Sequence, residues 1–210
     1  MNITLLLLIM TCVVSYQALQ NPAMRAKLLF YPYEIKRTGE YFRFITSGFI
    51  HGSWPHLFIN VFVLYQFGIM AEEVFSMLFG PDYGKIVYIV FYISAIIVAG
   101  LPTYFRHQDD VGYRALGASG ATSALVFFYI VFAPWSWFTF PPLPAIVFGI
   151  LYLAYSSYMD KQGVDNIGHN AHLWGAIYGL IFTLTSIYIA RPELFEVLLA
   201  QLLAGPSSPF

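Results

Sequence analysis

The sequence predicts an all-α protein folded within a lipid bilayer, and three observations predict it. Apolar residues make up 59% of the 210-residue chain and charged residues 10%, against roughly 25% charged in a soluble domain, and the mean hydropathy is +0.67. Six apolar segments stand out, at 3–19, 56–78, 86–104, 119–138, 143–159 and 171–190. Nearly all charges fall between these segments or near their ends. A run of about 20 apolar residues crosses the hydrocarbon layer as a helix, which satisfies its own backbone where no water can. Six spans leave no room for a separate soluble domain, so residues 1–210 are expected to form one membrane domain with both ends on the same side. A net charge of −1 provides no basic field for nucleic acid, so lipids and membrane proteins are the expected partners.

In chain order, the first segment reads as a retained helix rather than a leader, because no Lys or Arg precedes it and no small-residue cleavage site follows. Its Cys12, the one cysteine, reads as a packing residue. The loop 20–53 is too long for a connector and carries Phe30, Tyr31, Tyr33, Tyr41, Phe42 and Phe44. Aromatics of this kind favour the headgroup zone, so a partly ordered interfacial element is expected there. The second segment places His56 and Asn60 four residues apart, on one helical face. The fourth opens at Gly117-Ala118-Ser119-Gly120 as a polar loop ends. Residues 158–170, with Gly163 and Gly168, read as a flexible cap, and the sixth segment carries Ala171-His172-Leu173-Trp174-Gly175.

Polar side chains at membrane depth are costly unless paired or wet, which makes His56, Asn60, Ser119 and His172 the functional candidates. Serine alone is common in membrane helices. What distinguishes Ser119 is its setting: Gly117, Ala118, Gly120, Ala121 and Ala124 leave the start of its helix nearly without side chains, while Ala171, Gly175 and Gly179 form a matching small face beside His172. Two such faces allow close backbone approach and bring a nucleophile toward a base. At a helix start the Ser119 amide lacks an intrahelical acceptor and is suited to hold an oxyanion, with His56 and Asn60 as further donors. His169 is a competing base, and His51 is a candidate support for the second helix or the oxyanion region. Packing alone would also account for the small residues. There is no His-Glu-x-x-His motif, no pair of membrane-embedded aspartates and no lysine at a helix centre. Neither metal nor cofactor is expected.

Taken in order and spacing, these features resemble the rhomboid family of intramembrane serine proteases: Phe42-Arg43; His51 before His56-Leu57-Phe58-Ile59-Asn60; Gly68 and Glu72; Gly117-Ala118-Ser119-Gly120; and Ala171-His172 leading into Gly175. The resemblance implies a six-helix bundle with a large interfacial first loop and a short fourth helix starting at the catalytic serine. It implies a Ser119/His172 dyad, an oxyanion hole of His56, Asn60 and the Ser119 amide, supporting roles for His51, Gly117, Gly120 and Gly175, and single transmembrane helices of membrane proteins as substrates. It also implies a multi-pass protein of a bacterial inner membrane. Many relatives stack an aromatic residue, four positions after the serine, on the histidine; Ser123 stands there instead, so another group is expected to orient His172.

The charges point the other way on topology. Arg25, Lys27, Lys36, Arg37 and Arg43 crowd the first loop, Arg106, Arg114 and Lys161 fall on its side, and only Lys85 and Arg191 lie opposite. Positive-inside counting puts that loop in the cytoplasm, whereas the resemblance puts it outside. An interfacial loop is not the simple short loop that such counting assumes, so the expectation follows the family. The alternative to an active protease is a catalytically silent relative that binds membrane helices without cutting them.

Overall fold

The computed structural model describes residues 2–139, 141–162 and 168–206. Among these it holds ten α-helices and no strand: α1 (Ile3–Gln20), α2 (Pro22–Leu28), α3 (Pro32–Thr38), α4 (Arg43–Thr46), α5 (Trp54–Phe79), α6 (Pro81–His107), α7 (Ser119–Phe132), α8 (Ala145–Gln162), α9 (His169–Ala190) and α10 (Leu194–Ala204). Residues 163–167 of the expected cap lie outside the described residues.

Each of the six apolar segments contains one of the longer helices, but not all six reach spanning length. α1, α5, α6 and α9 are long and apolar enough to cross a membrane, and this is an integral membrane protein. α8 carries Asp160, Lys161 and Gln162 in its last turn, which lowers its hydropathy. The fourth segment was expected to run to residue 138, yet α7 stops at Phe132 after 14 residues. Pro134 is the reason, since the residue before a proline is pushed out of the helical region, and Ala133 sits at φ −142°, ψ 59°. At about 1.5 Å per residue, α7 is about 21 Å long. The chain then folds back through a turn in which Phe138 N–H donates to the Leu143 carbonyl (3.0 Å) and Ala145 N–H to that of Ser136 (2.8 Å). α10 was not anticipated; its 11 residues are too few to span, and Trp135 Nε1 donates to its Leu202 carbonyl at 2.9 Å.

Burial explains the arrangement around α7. Ten of its 14 residues are buried, as a helix that is apolar on every side requires. Phe75 of α5, Phe91 of α6, Phe128 of α7 and Phe182 of α9 meet at its side, with ring centroids 5.0 Å apart for Phe75–Phe128 and 5.2 Å for Phe91–Phe182.

At one end of the bundle, Glu72 of α5 completes the start of α1. Its carboxylate accepts the Ile3 and Thr4 amides, both at 2.8 Å, and the Thr4 hydroxyl at 2.9 Å. These amides have no partner within their own helix. Glu72 thus ties the start of α1 to α5. Glu72→Ala would leave the Ile3 and Thr4 amides unmatched, the Thr4 hydroxyl keeping its bond to the Tyr88 hydroxyl at 3.1 Å, and is expected to destabilise by about 3 kcal/mol. An unchanged melting temperature in detergent would remove this role.

The first loop is ordered throughout: α2, α3, α4 and a 3-10 turn, Ser47–Phe49, occupy it. Three of its five cations are engaged within the fold, Arg37 through the Tyr33 hydroxyl at 2.6 Å. Arg43, 7% exposed, donates to the Ala26 and Leu29 carbonyls at 3.0 and 3.1 Å and pairs with Glu40 at 2.6 Å. Lys36 pairs with Asp109 at 2.8 Å, and the Arg114 guanidinium lies 4.1 Å from the Tyr31 ring centroid. A charge count along the chain cannot register such pairings.

Candidate active site

Three of the residues just before α7, Ala115, Gly117 and Ala118, are held by distant parts of the chain. Phe30 and Ala115 exchange backbone hydrogen bonds at 2.9 and 3.0 Å, and Gly117 N–H donates to the Ser47 carbonyl at 2.9 Å. Ala118 N–H donates to His51 Nε2 at 3.3 Å. Nε2 must then be the unprotonated nitrogen, so Nδ1 carries the hydrogen and donates to Ser15 Oγ (2.8 Å), which passes its own to the Phe49 carbonyl (2.9 Å). A buried relay from α1 through His51 thus fixes the residue just before Ser119.

Burial, with a smaller contribution from neighbouring His56, pushes the His51 imidazole from 6.5 down to about 3. Between those values the unfolded chain binds more protons than the folded one. His51's contribution to stability is therefore complete above pH 6.5 and declines as pH falls toward 3. Melting temperature in detergent should fall more steeply with acid for the wild type than for His51→Gln; equal slopes would exclude this linkage.

Gly117 has to be glycine on two counts. Its φ is +121°, a region closed to side chains, and a Cβ there would lie 2.6 Å from His56 Cε1. His56 itself stands at the start of α5, its amide capped by Ser53 Oγ at 3.3 Å, with its ring edge-on to His51 at 4.9 Å between centroids. One helical turn on, Asn60 is buried at 4% exposure. It donates from Nδ2 to the His56 carbonyl at 2.9 Å and accepts the Thr122 hydroxyl at 3.0 Å. One amide hydrogen is thereby committed to the protein, and Asn60 locks α5 to the first turn of α7. Thr122 was not singled out in the sequence, where threonine in an apolar run carries no signal of its own.

The small faces of α7 and α9 do meet. A Cβ on Gly175 would overlap the Gly120 carbonyl, and one on Gly179 that of Ala124, while a Cβ on Gly120 would lie 3.5 Å from the Ala171 carbonyl. Backbone therefore lies on backbone, and Ser119 and His172 each adjoin a residue of this contact. Ser119 also lines a cavity of about 670 Å³, together with His56, Gly117, Gly120, His169 and Asn170. By helix geometry the Ser119, Gly120 and Ala121 amides at this end of α7 have no intrahelical acceptor.

A model of the Rhomboid domain matches residues 38–189. The chain belongs to the rhomboid family. Relatives of this rhomboid include RHOMBOID-like protein 12, mitochondrial, of Arabidopsis thaliana, 29% identical over 157 residues, or 69% of this chain and 46% of that protein. Rhomboid-like protease 5 of Toxoplasma gondii is 28% identical over 75% of this chain and 18% of its own, and Rhomboid-related protein 1 of Caenorhabditis elegans 26% identical over 73% and 42%. The chain thus spans less than half the length of these relatives.

The surroundings of His172 in this rhomboid were only partly legible. The Tyr152 ring from α8 lies nearly parallel to the His172 imidazole, at 5.8 Å and 21°, and the Tyr152 hydroxyl is 2.7 Å from Ser123 Oγ. His169, buried at 4% exposure, approaches the same imidazole edge-on at 5.6 Å and 78°. In the cavity lining, Arg106 of α6 pairs with Asp160 of α8 at 2.9 Å, and Thr103 Oγ1 donates to Asn170 Oδ1 at 3.1 Å. These pairs join residues 54 to 67 positions apart, beyond the reach of any local motif.

Proposed function

We propose that this rhomboid is an intramembrane serine endopeptidase that hydrolyses peptide bonds in or near the transmembrane segments of membrane proteins. The observation that carries the reading is the close contact of α7 and α9 beside a cavity of mixed polar and apolar lining, with Ser119 at the start of one helix and His172 next to the contact on the other. In this mechanism Ser119 Oγ attacks the peptide carbonyl while His172 takes its proton. The oxyanion is held by the Ser119 amide, by His56 and by the uncommitted hydrogen of Asn60. His172 then protonates the departing amine, and water admitted through the cavity cleaves the acyl-enzyme. Gly117, Gly120 and Gly175 act by leaving room, and in this reading α7 and α8 join the four candidate spans, α1, α5, α6 and α9, to make a six-helix bundle. No cofactor takes part.

Detergent-purified protein is expected to react with a serine-directed fluorophosphonate probe, with labelling dependent on both Ser119 and His172. A well-folded wild type that does not label would favour the silent helix-binding alternative. We place the protein in a bacterial inner membrane with the first loop outside, on the resemblance alone. In intact cells Lys36→Cys, in a Cys12→Ala background, should then react with an impermeant maleimide; a shielded cysteine would reverse the orientation, and recovery from an organelle membrane of a eukaryotic source would overturn the placement.

A further inference from the structure

Ser123 lies one turn into α7, 3% exposed, and its hydroxyl meets that of Tyr152 at 2.7 Å. Tyr152 comes from a different helix, α8, and presents its ring to the face of His172. On its other flanks Tyr152 stacks on Phe148 at 5.8 Å and 20° and packs against Phe127 at 6.5 Å. The imidazole therefore has an aromatic face on one side and the edge of His169 on another. A histidine ring turns freely about its last torsion over a broad range, so a stacked neighbour confines the direction in which its two nitrogens point. That neighbour is itself prevented from turning by the hydroxyl pair. An alanine at position 123 would leave the Tyr152 hydroxyl without this partner.

We propose that Tyr152 is a positioning residue for His172 and that Ser123 holds it in place, so that the orienting aromatic is delivered from α8 and not from α7. The proposal rests on the reading above in which His172 is the base. It accounts for two features at once: the small polar residue at position 123 and the near-parallel ring from a separate helix. Misdirecting a general base slows the chemical step without weakening the hold on substrate, so the effect belongs in kcat and not in KM.

The experiment compares wild type, Tyr152→Leu, Tyr152→Phe, Ser123→Ala and the Ser123→Ala/Tyr152→Phe double variant. The readouts are fluorophosphonate labelling rate, and kcat and KM on a fluorogenic transmembrane-helix peptide in micelles. Tyr152→Leu is expected to lower kcat by roughly 30-fold with KM within about twofold. Tyr152→Phe keeps the ring and recovers part of this; it and Ser123→Ala each lose about three- to tenfold, and the double variant loses no more than either, because both changes remove one shared hydrogen bond. Wild-type kcat in Tyr152→Leu overturns the proposal. If that variant melts far below wild type, Tyr152→Phe and Ser123→Ala decide, and losses that multiply in the double variant or appear only in KM overturn it. A wild type that fails to label removes the protease reading and this proposal together, whereas a labelled wild type with unaffected variants removes this proposal alone.

Discussion

Ser119→Ala is expected to abolish both peptide cleavage and fluorophosphonate labelling, by roughly 10⁵-fold or more, as when the nucleophile of a serine protease is removed. The fold should survive, because the Ser119 side chain does not cap its helix: the cap position is Ala118 and no side chain bonds there. The change removes one oxygen atom from a half-buried residue on a cavity wall. His172→Ala should be as severe, since the hydroxyl then has no base. Melting temperature and elution volume must match wild type for the comparison to hold. Cleavage retained by either variant would refute the dyad. Loss of labelling in Ser119→Ala alone, with His172→Ala still labelled, would move the base elsewhere, with His169 next in line.

The second large effect is structural. Gly175→Leu puts a side chain where the Gly120 carbonyl already is and brings its first carbon to 2.9 Å from Gly120 Cα. Neither backbone can give way without separating α7 from α9, and overpacking of this kind in a close-packed interior costs about 3 kcal/mol or more. Melting should fall sharply and labelling should disappear, with Gly175→Ala intermediate. Ile181→Phe, at a position 58% exposed on the same helix, is the control and should behave as wild type. Equal tolerance at the two positions would mean that the close approach of α7 and α9 is dispensable.

Much of the architecture was visible in the sequence because it depends on period and composition. The six apolar segments and the four-residue spacing of Ala171, Gly175 and Gly179 are of this kind, and the contact that the spacing implied is present. Where a local signal competed with the apolar pattern, the pattern misled: Pro134 ends α7 at Phe132 although the apolar run continues to 138. α10 was missed because its 11 residues fall short of a span. The contacts around His172 were hidden for another reason. Tyr152 is one of three tyrosines on α8, with Tyr155 and Tyr158, and nothing local distinguishes it; only the fold brings it to Ser123. Ser123 did show that something had to replace the expected aromatic, without showing what. Likewise the relay from Ser15 through His51 to Ala118 joins three elements of the chain, and its serine looks like any other in an apolar helix.

The hold that the first loop keeps on residues 115–118 has a consequence for genetic screens. The attitude of Ser119 is set by Phe30, Ser47 and His51, some 70 to 90 positions earlier in the chain. Random variants scored only for lost activity will collect in this loop as well as around the dyad, and a map of such hits would resemble a substrate-docking face. Scoring protein level and melting alongside turnover separates a damaged scaffold from a lost recognition surface.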